Sequence, residues 1–259
     1  MTFLCICCDF KGKDFLKACK AAGNKVYLLT TKKLESKPWP RESIDNFFFI
    51  EEENTPKNYA NMVKGLAWLM RSEKIDRVVA LDDFDVEKAA FLREEFRIPG
   101  MGQTTARLFR DKLAMRTKAQ EAGLRIPPFT ALFNDAEIHD YTQRVAAPWV
   151  VKPRGEASAE GIRKVHSSEQ LWQVLNELGE ERHNYLLEQF KPGDVYHVDA
   201  LTLDGEIQFV RSSKYLSTPF EVTQGGGVFR THTLEYGSKE DKALKAMHAN
   251  LMKDFGMQF

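Results

Sequence analysis

The sequence predicts an α/β chain in two parts: a parallel sheet covered by helices, then an α+β part with antiparallel strands. Three observations predict it. Apolar runs alternate with helical patterns over residues 1–103, as they do in strand-helix-strand units. Those runs are apolar throughout rather than at every second position, the mark of strands buried on both faces. Past Gly123 the pattern turns to short strands, and Asp204-Gly205 is a two-residue hairpin signal between two of them.

The elements follow in order. Residues 2–8 form the first apolar run, with Cys5 and Cys7 on one face of a strand and Cys8 on the other. A helix over 14–22 is stopped by Gly23-Asn24. Strands follow at 25–30, 46–50 and 77–81. Between the last two, Tyr59, Met62, Val63, Leu66, Leu69 and Met70 mark one face of a helix over 57–71. A further helix covers 86–96, and 98–102 is a break. One long helix is expected over 104–122, because Ile126-Pro127-Pro128 blocks any continuation past Gly123. Strands are expected at 149–152, 161–165, 185–189, 195–203 and 206–214, with a helix over 169–178 opened by a Ser167/Gln170 capping box. The domain boundary is placed at 103/104, and the second domain is divided into 104–185 and 186–259.

Composition narrows the function classes. Lys plus Arg and Asp plus Glu both number 37, so no basic excess points to nucleic acid. No apolar run approaches the roughly 20 residues that cross a bilayer. Cys5, Cys7, Cys8 and Cys19 form no C-x-x-C pair, and read as small buried hydrophobes of a cytoplasmic protein.

Three stretches carry chemistry. Residues 149–162 read Trp-Val-Val-Lys-Pro-Arg-Gly-Glu-Ala-Ser-Ala-Glu-Gly-Ile. An apolar strand ends on Lys152, and a loop of small residues follows. Small side chains let backbone N–H groups approach an anion closely, with Lys152 as a point charge at the base. The stretch lacks the G-K-[ST] of a P-loop, and the same pattern suits a hairpin loop beside a solvated lysine. Residues 107–118 hold five basic residues against the single acid Asp111, which suits either a solvated helix face or a helix offering Lys112 to a phosphate. In the third stretch, alternation puts His197 and Asp199 on one face of a strand, either satisfying each other's neighbours or facing a ligand. Asp82, Asp83 and Asp85 end the fourth strand of the first part, where ligands favour open sheets, or form a solvated acidic loop that caps the next helix. Arg211 and Lys214 read as edge-strand charges or as contacts to a substrate anion.

Together, and in this order, these stretches resemble the ATP-grasp superfamily. D-K-x2-M-R at 111–116, with the Ala122–Pro127 turn after it, is similar to the family's first lysine helix. Residues 149–153 with the small-residue loop are similar to its second lysine and phosphate lid. L-L-E-Q-F at 186–190 resembles the hinge that reads adenine, and Y-H-V-D at 196–199 resembles a run of the biotin carboxylase branch. The resemblance implies a Rossmann-like companion domain followed by a partial ATP-grasp domain. It implies that Lys112 and Lys152 contact ATP phosphates. Arg154 and the loop 155–161, with Gly155, Ser158 and Gly161, would close over them. Glu188, with the backbone of Gln189 and Phe190, would hold the adenine. The ribose would fall to Asp194 or to His197, since the position seven residues past Glu188, where relatives carry Glu, is Val195.

The family's Mg2+ ligands follow a helix that here reads as 238–255, so they are expected beyond residue 259, with 257–259 as the start of the next strand. The expected function is an ATP-dependent carboxylate–amine ligase acting through an acyl phosphate on small carboxylate and amine substrates. This chain is expected to be incomplete for catalysis, binding ATP weakly and turning over little. The alternative is a non-catalytic nucleotide-binding module or half of a split enzyme. A dehydrogenase is disfavoured because Asp9-Phe10-Lys11-Gly12 lacks G-x-G-x-x-G. Neither nucleic acid nor membrane is expected as a partner, and a homodimer is left open.

Overall fold

The computed structural model describes residues 1–51, 56–157 and 159–257. The chain divides into two compact units, Met1–Arg110 and Asp111–Phe259.

The first unit alternates strand and helix: β1 (Thr2–Ile6), α1 (Lys13–Ala21), β2 (Lys25–Thr31), β3 (Asn46–Ile50), α2 (Pro56–Leu69), β4 (Arg77–Ala80), α3 (Val86–Phe96) and α4 (Gln103–Arg107). The four strands pair in parallel in the order β3-β2-β1-β4. Alternation along β1 feeds two cores. Leu4 and Ile6 pack with α2 and α3 residues such as Met62, Leu66 and Leu92, while Cys5 and Cys7 pack with Leu16 and Cys19 of α1. All four thiols are free. The acidic loop after β4 is not solvated as expected. Asp85 is fully buried. It accepts from the Cys8 N–H at 2.6 Å and from Lys88 Nζ at 2.8 Å, and makes no cap bond to α3. Asp82 turns inward too, accepting from the Phe84 N–H at 2.9 Å and pairing with Lys11. Buried carboxylates need such partners, and here they come from the loop itself, from α3 and from the segment between β1 and α1.

The second unit begins with α5 (Lys112–Glu121), so the expected single helix over 104–122 is two helices. Asp111 is the reason. Its backbone is extended (φ −84°, ψ 110°), and its side chain accepts from the Leu113 and Ala114 N–H groups. An aspartate is among the best residues for that N-cap. Then come β5 (Phe129–Ala131), α6 (Asp135–Arg144), β6 (Trp149–Pro153), β7 (Arg163–Val165), α7 (Ser168–Leu178) and β8 (Tyr185–Gln189). The strands form an antiparallel sheet in the order β5-β8-β6-β7. The subdivision expected at 185/186 therefore falls at the start of a strand this sheet keeps through Gln189. Trp149, Val151, Val165 and Leu187 face a core closed by Ile138 and Tyr141 of α6 and Leu171 and Leu175 of α7. Ser167 caps α7 by accepting from the Gln170 N–H. Gln170 answers the His166 N–H, one residue before the cap, rather than the cap's own.

A second sheet follows, from β9 (Tyr196–Leu203) and β10 (Glu206–Tyr215), then α8 (Pro219–Gly225), β11 (Thr231–Thr233) and α9 (Lys239–Phe255). Asp204 (φ 50°) and Gly205 (φ 80°) make the hairpin turn, the left-handed pair that a two-residue loop of this kind needs. The strand order is β11-β10-β9, so β10 is central, and Arg211 and Lys214 are not edge-strand residues as expected. Hydrogen bonding by β11 at Ser213–Tyr215 covers that edge. α9 ends at Gly256 in the left-handed region (φ 67°). Gln258 and Phe259, expected to begin a strand, lie outside the described residues. Among the described residues no helix is long and apolar enough to cross a membrane.

Leu171 has no exposed surface in the core of the first antiparallel sheet. Leu171→Ala is expected to lower the stability of the second unit by about 2–5 kcal/mol, read as a shifted urea midpoint. A midpoint unchanged from wild type would contradict this packing.

Candidate functional site

The first antiparallel sheet of the second unit has two unlike faces. Trp149, Val151 and Leu187 point to the helix-covered core. Residues opposite one another in antiparallel strands share a face. The register pairs Val150 with Glu188 and with Lys164, and Lys152 with Leu186. That puts Lys152, Lys164 and Glu188 together on the other face.

Glu188 is the hub. Lys152 Nζ lies 2.8 Å from its Oε1, and Arg116 Nε, one turn into α5, donates to its Oε2 at 2.7 Å. The Lys152 and Glu188 side chains are only 10% and 8% exposed. Burial works to raise the Glu188 pKa, but Lys152 and Arg116 outweigh it and hold the carboxyl below its ordinary range. Burial lowers the Lys152 pKa, Glu188 opposes that, and Arg116 adds to it. Desolvating charges costs several kcal/mol per ion. Here two cations share one carboxylate, so the cluster keeps one net positive charge in a largely dry place. A carboxylate offers about four lone-pair sites, and these two bonds leave capacity for further donors.

The lid lies where β6 ends. The Arg154 guanidinium grips Asp111 through Nε at 2.9 Å and a second nitrogen, and gives another N–H to His183 O at 3.0 Å. Burial works to raise the Asp111 carboxyl, but the Arg154 hydrogen bonds and charge hold it low. The Lys112 N–H donates to Arg154 O at 2.9 Å, tying the start of α5 to the lid. The Lys112 ammonium donates to the carbonyls of Arg154, at 3.4 Å, and Glu156. A cavity of about 150 Å³ lies beneath, lined by Lys112, Pro153, Glu156 and Ile162 among others. Gly155 sits in open space, whereas Gly161 is constrained. Gly161 is left-handed (φ 68°), and a Cβ there would meet Pro153 Cγ at 2.8 Å. Ser158 lies outside the described residues.

At the hinge, the Gln189 N–H donates to Pro128 O and the Phe190 N–H to Pro148 O, both at 2.9 Å. These two donors are held by the protein itself, as the Glu188 carboxylate is by Lys152 and Arg116. The Phe190 ring packs under Lys164 Nζ at 3.8 Å and beside Phe220 at 6.2 Å. The two ribose candidates have separate partners. Asp194 pairs with Lys214 at 2.5 Å, and His197 Nδ1 lies 2.8 Å from Asp199. His197 Nε2 is buried without a hydrogen-bond partner among the described residues. Sequence reasoning thus missed Arg116, Lys164 and Phe220 as neighbours of the site. For Arg116 a signal existed, since it closes the D-K-x2-M-R run; Lys164 and Phe220 meet Phe190 only through the fold.

The chain was compared with known proteins. No family model matches it. It is 31% identical over 153 residues to an L-arginine-specific L-amino acid ligase of Bacillus subtilis, covering 57% of this chain and 37% of that one. It is 28% identical over 176 residues to a D-alanine–D-alanine ligase of Pseudoalteromonas atlantica, covering 63% and 53%. Among solved structures, an L-amino acid ligase from Bacillus licheniformis superposes with a TM-score of 0.75 at 17% identity, over 98% of this chain and 60% of that one. In sequence and in fold the chain is similar to ATP-grasp ligases. A second solved structure, the biotin carboxylase domain of Hydrogenobacter thermophilus 2-oxoglutarate carboxylase with MgADP and bicarbonate, superposes with a TM-score of 0.69 at 17% identity, over 99% and 58%. The matches cover 37% and 53% of the two sequence relatives, under two thirds of their length. Among the described residues, no group of three or more His, Cys, Asp or Glu could hold a metal ion.

The depressed Glu188 pKa has a stability consequence. A carboxyl held low in the folded state stabilises it above the unfolded pKa of about 4.3, and that share is lost as pH falls through the folded value. Urea midpoints measured from about pH 5 down to about pH 3 are therefore expected to fall less steeply in Glu188→Gln than in wild type. Equal slopes would show that Glu188 is not held by the two cations.

Proposed function

We propose that this chain is the nucleotide-binding part of an ATP-dependent carboxylate–amine ligase. The observation that carries the reading is the buried net positive charge of Lys152, Arg116 and Glu188 beside the lid. Such a cluster is stabilised by an incoming anion, and a triphosphate brings several negative charges. Lys152 turns from Glu188 to a phosphate oxygen. Lys112 leaves the lid carbonyls for another, and Arg154 keeps the lid's root fixed on Asp111. Gly155, Ser158 and Gly161 let the lid backbone come close to the phosphates. Glu188 accepts from the adenine amino group, and Phe190 gives the base an apolar neighbour. The Gln189 and Phe190 backbone completes that pocket by exchanging partners. Asp194 or His197 meets the ribose. Mg2+ enters with the nucleotide.

The proposed reaction has two steps. A substrate carboxylate oxygen attacks the γ-phosphorus, the bond to ADP breaks, and an acyl phosphate forms. An amine then attacks the acyl carbon. The C–O bond to phosphate breaks, the nitrogen loses a proton, and an amide and inorganic phosphate leave. The protein's share is positioning and charge neutralisation, with no nucleophilic side chain needed. Relatives named as ligases of amino acids support amino acids as both the carboxylate and the amine substrate. Four free thiols support a reducing, cytoplasmic setting.

Calorimetry of this chain with Mg-ATP tests the reading. Lys152→Ala and Lys112→Ala are each expected to weaken binding about tenfold or more, the worth of a hydrogen bond to a charged group. Affinity equal to wild type in both variants would contradict it.

A further inference from the structure

Arg116 belongs to none of the nucleotide contacts set out above, yet it holds the carboxylate on which the site turns. It approaches Glu188 Oε2, while Lys152 holds Oε1. We infer that Arg116 is a positioning residue that sets purine selectivity by keeping Glu188 ionised when Lys152 moves to phosphate. The inference rests on the ATP reading.

In the free protein Glu188 has two counter-ions, and its side chain is 8% exposed. When Lys152 engages a phosphate, one counter-ion goes. With Arg116 in place the carboxylate keeps a charged partner, stays deprotonated and remains a pure acceptor. Lys164 shares that face, but its ammonium stands over the Phe190 ring; without Arg116 the carboxylate therefore has no cation bonded to it, and such a buried group takes up a proton. Tyr141, packed on the sheet's other face, cannot replace the cation: its hydroxyl donates to Pro128 O, and burial followed by the Glu188 charge raises its pKa. A protonated carboxyl presents an O–H donor. The purines differ at the position it would read: adenine carries an amino donor, guanine a carbonyl acceptor. An ionised Glu188 accepts from adenine and repels the guanine carbonyl, whereas a protonated one donates to guanine. Arg116 also suits the task geometrically. Its side chain is mostly buried against the sheet, and α5 itself is anchored by the Asp111 cap and the Asp111–Arg154 pair.

The test is calorimetry of this chain with Mg-ATP and Mg-GTP, for wild type, Arg116→Gln and Arg116→Lys, with thermal melts of each. Wild type should prefer ATP. In Arg116→Gln the ATP-to-GTP preference is expected to fall about tenfold or more, with most of the loss restored in Arg116→Lys. Arg116→Met, which keeps the bulk without the charge, takes the place of Arg116→Gln if that variant does not melt cooperatively. An unchanged preference, or equal weakening of both nucleotides, would overturn the role of Arg116 while leaving the ATP reading intact. Wild type that binds neither nucleotide would overturn the ATP reading, and the role of Arg116 with it.

Discussion

The buried Glu188 carboxylate, held between Lys152 and Arg116, is the interaction on which the rest of the second unit depends. It needs three elements at once. β8 brings Glu188 to the end of the sheet, and β6 brings Lys152 to the same face by the Val150–Glu188 register. α5 brings Arg116 over that face. The register matters because a slip of one residue would send Lys152 into the helix-covered core and its apolar neighbours outward. The helix start matters as well, because Asp111 both caps α5 and grips Arg154 at the end of β6. One carboxylate thus fixes the helix to the strand, and the second carboxylate sits on the scaffold so made.

A charge cluster of this kind is weak evidence of stability for its own sake. Apolar residues of similar volume often hold a core equally well, whereas removing one member of a buried pair costs about 3–5 kcal/mol. Its net positive charge gives it another use. In the free protein each lysine has a substitute partner: Lys152 the hinge carboxylate, Lys112 the lid carbonyls. In the proposed function, nucleotide binding is an exchange of partners rather than the filling of an empty charged pocket, and neither lysine faces solvent-free space unpaired in the free protein. In that reading the carbonyls of Arg154 and Glu156 release Lys112, while Gly161 holds a left-handed turn packed against Pro153.

Much of this was legible in the sequence, for identifiable reasons. Continuous apolar runs separated by one-faced helices specify a covered parallel sheet, and Asp204-Gly205 specifies a hairpin. Lys152 at the end of an apolar strand and Glu188 at the end of another were visible because strand ends are where short-range pattern changes. The break between α4 and α5 was missed, although Asp111 is a strong cap, because the flanking residues are good helix formers and periodicity ran through it. The inward turn of Asp82 and Asp85 was missed because Lys11 and the Cys8 N–H come from a distant segment, and the i,i+3 pair of Asp85 with Lys88 alone reads as a solvated helix start. Arg116 stood inside a recognised run, but its bond to Glu188 spans 72 residues of sequence, and nothing local marks such a pairing.

In the proposed site the cluster receives a phosphate by exchanging Lys152 away from Glu188. A crystal structure of the chain with a non-hydrolysable ATP analogue would show that exchange. The expected result is the Lys152 ammonium on a phosphate oxygen and the Glu188 carboxylate on the adenine amino group, still held by Arg116. An analogue bound elsewhere, or Lys152 still paired with Glu188 beside a bound triphosphate, would contradict it.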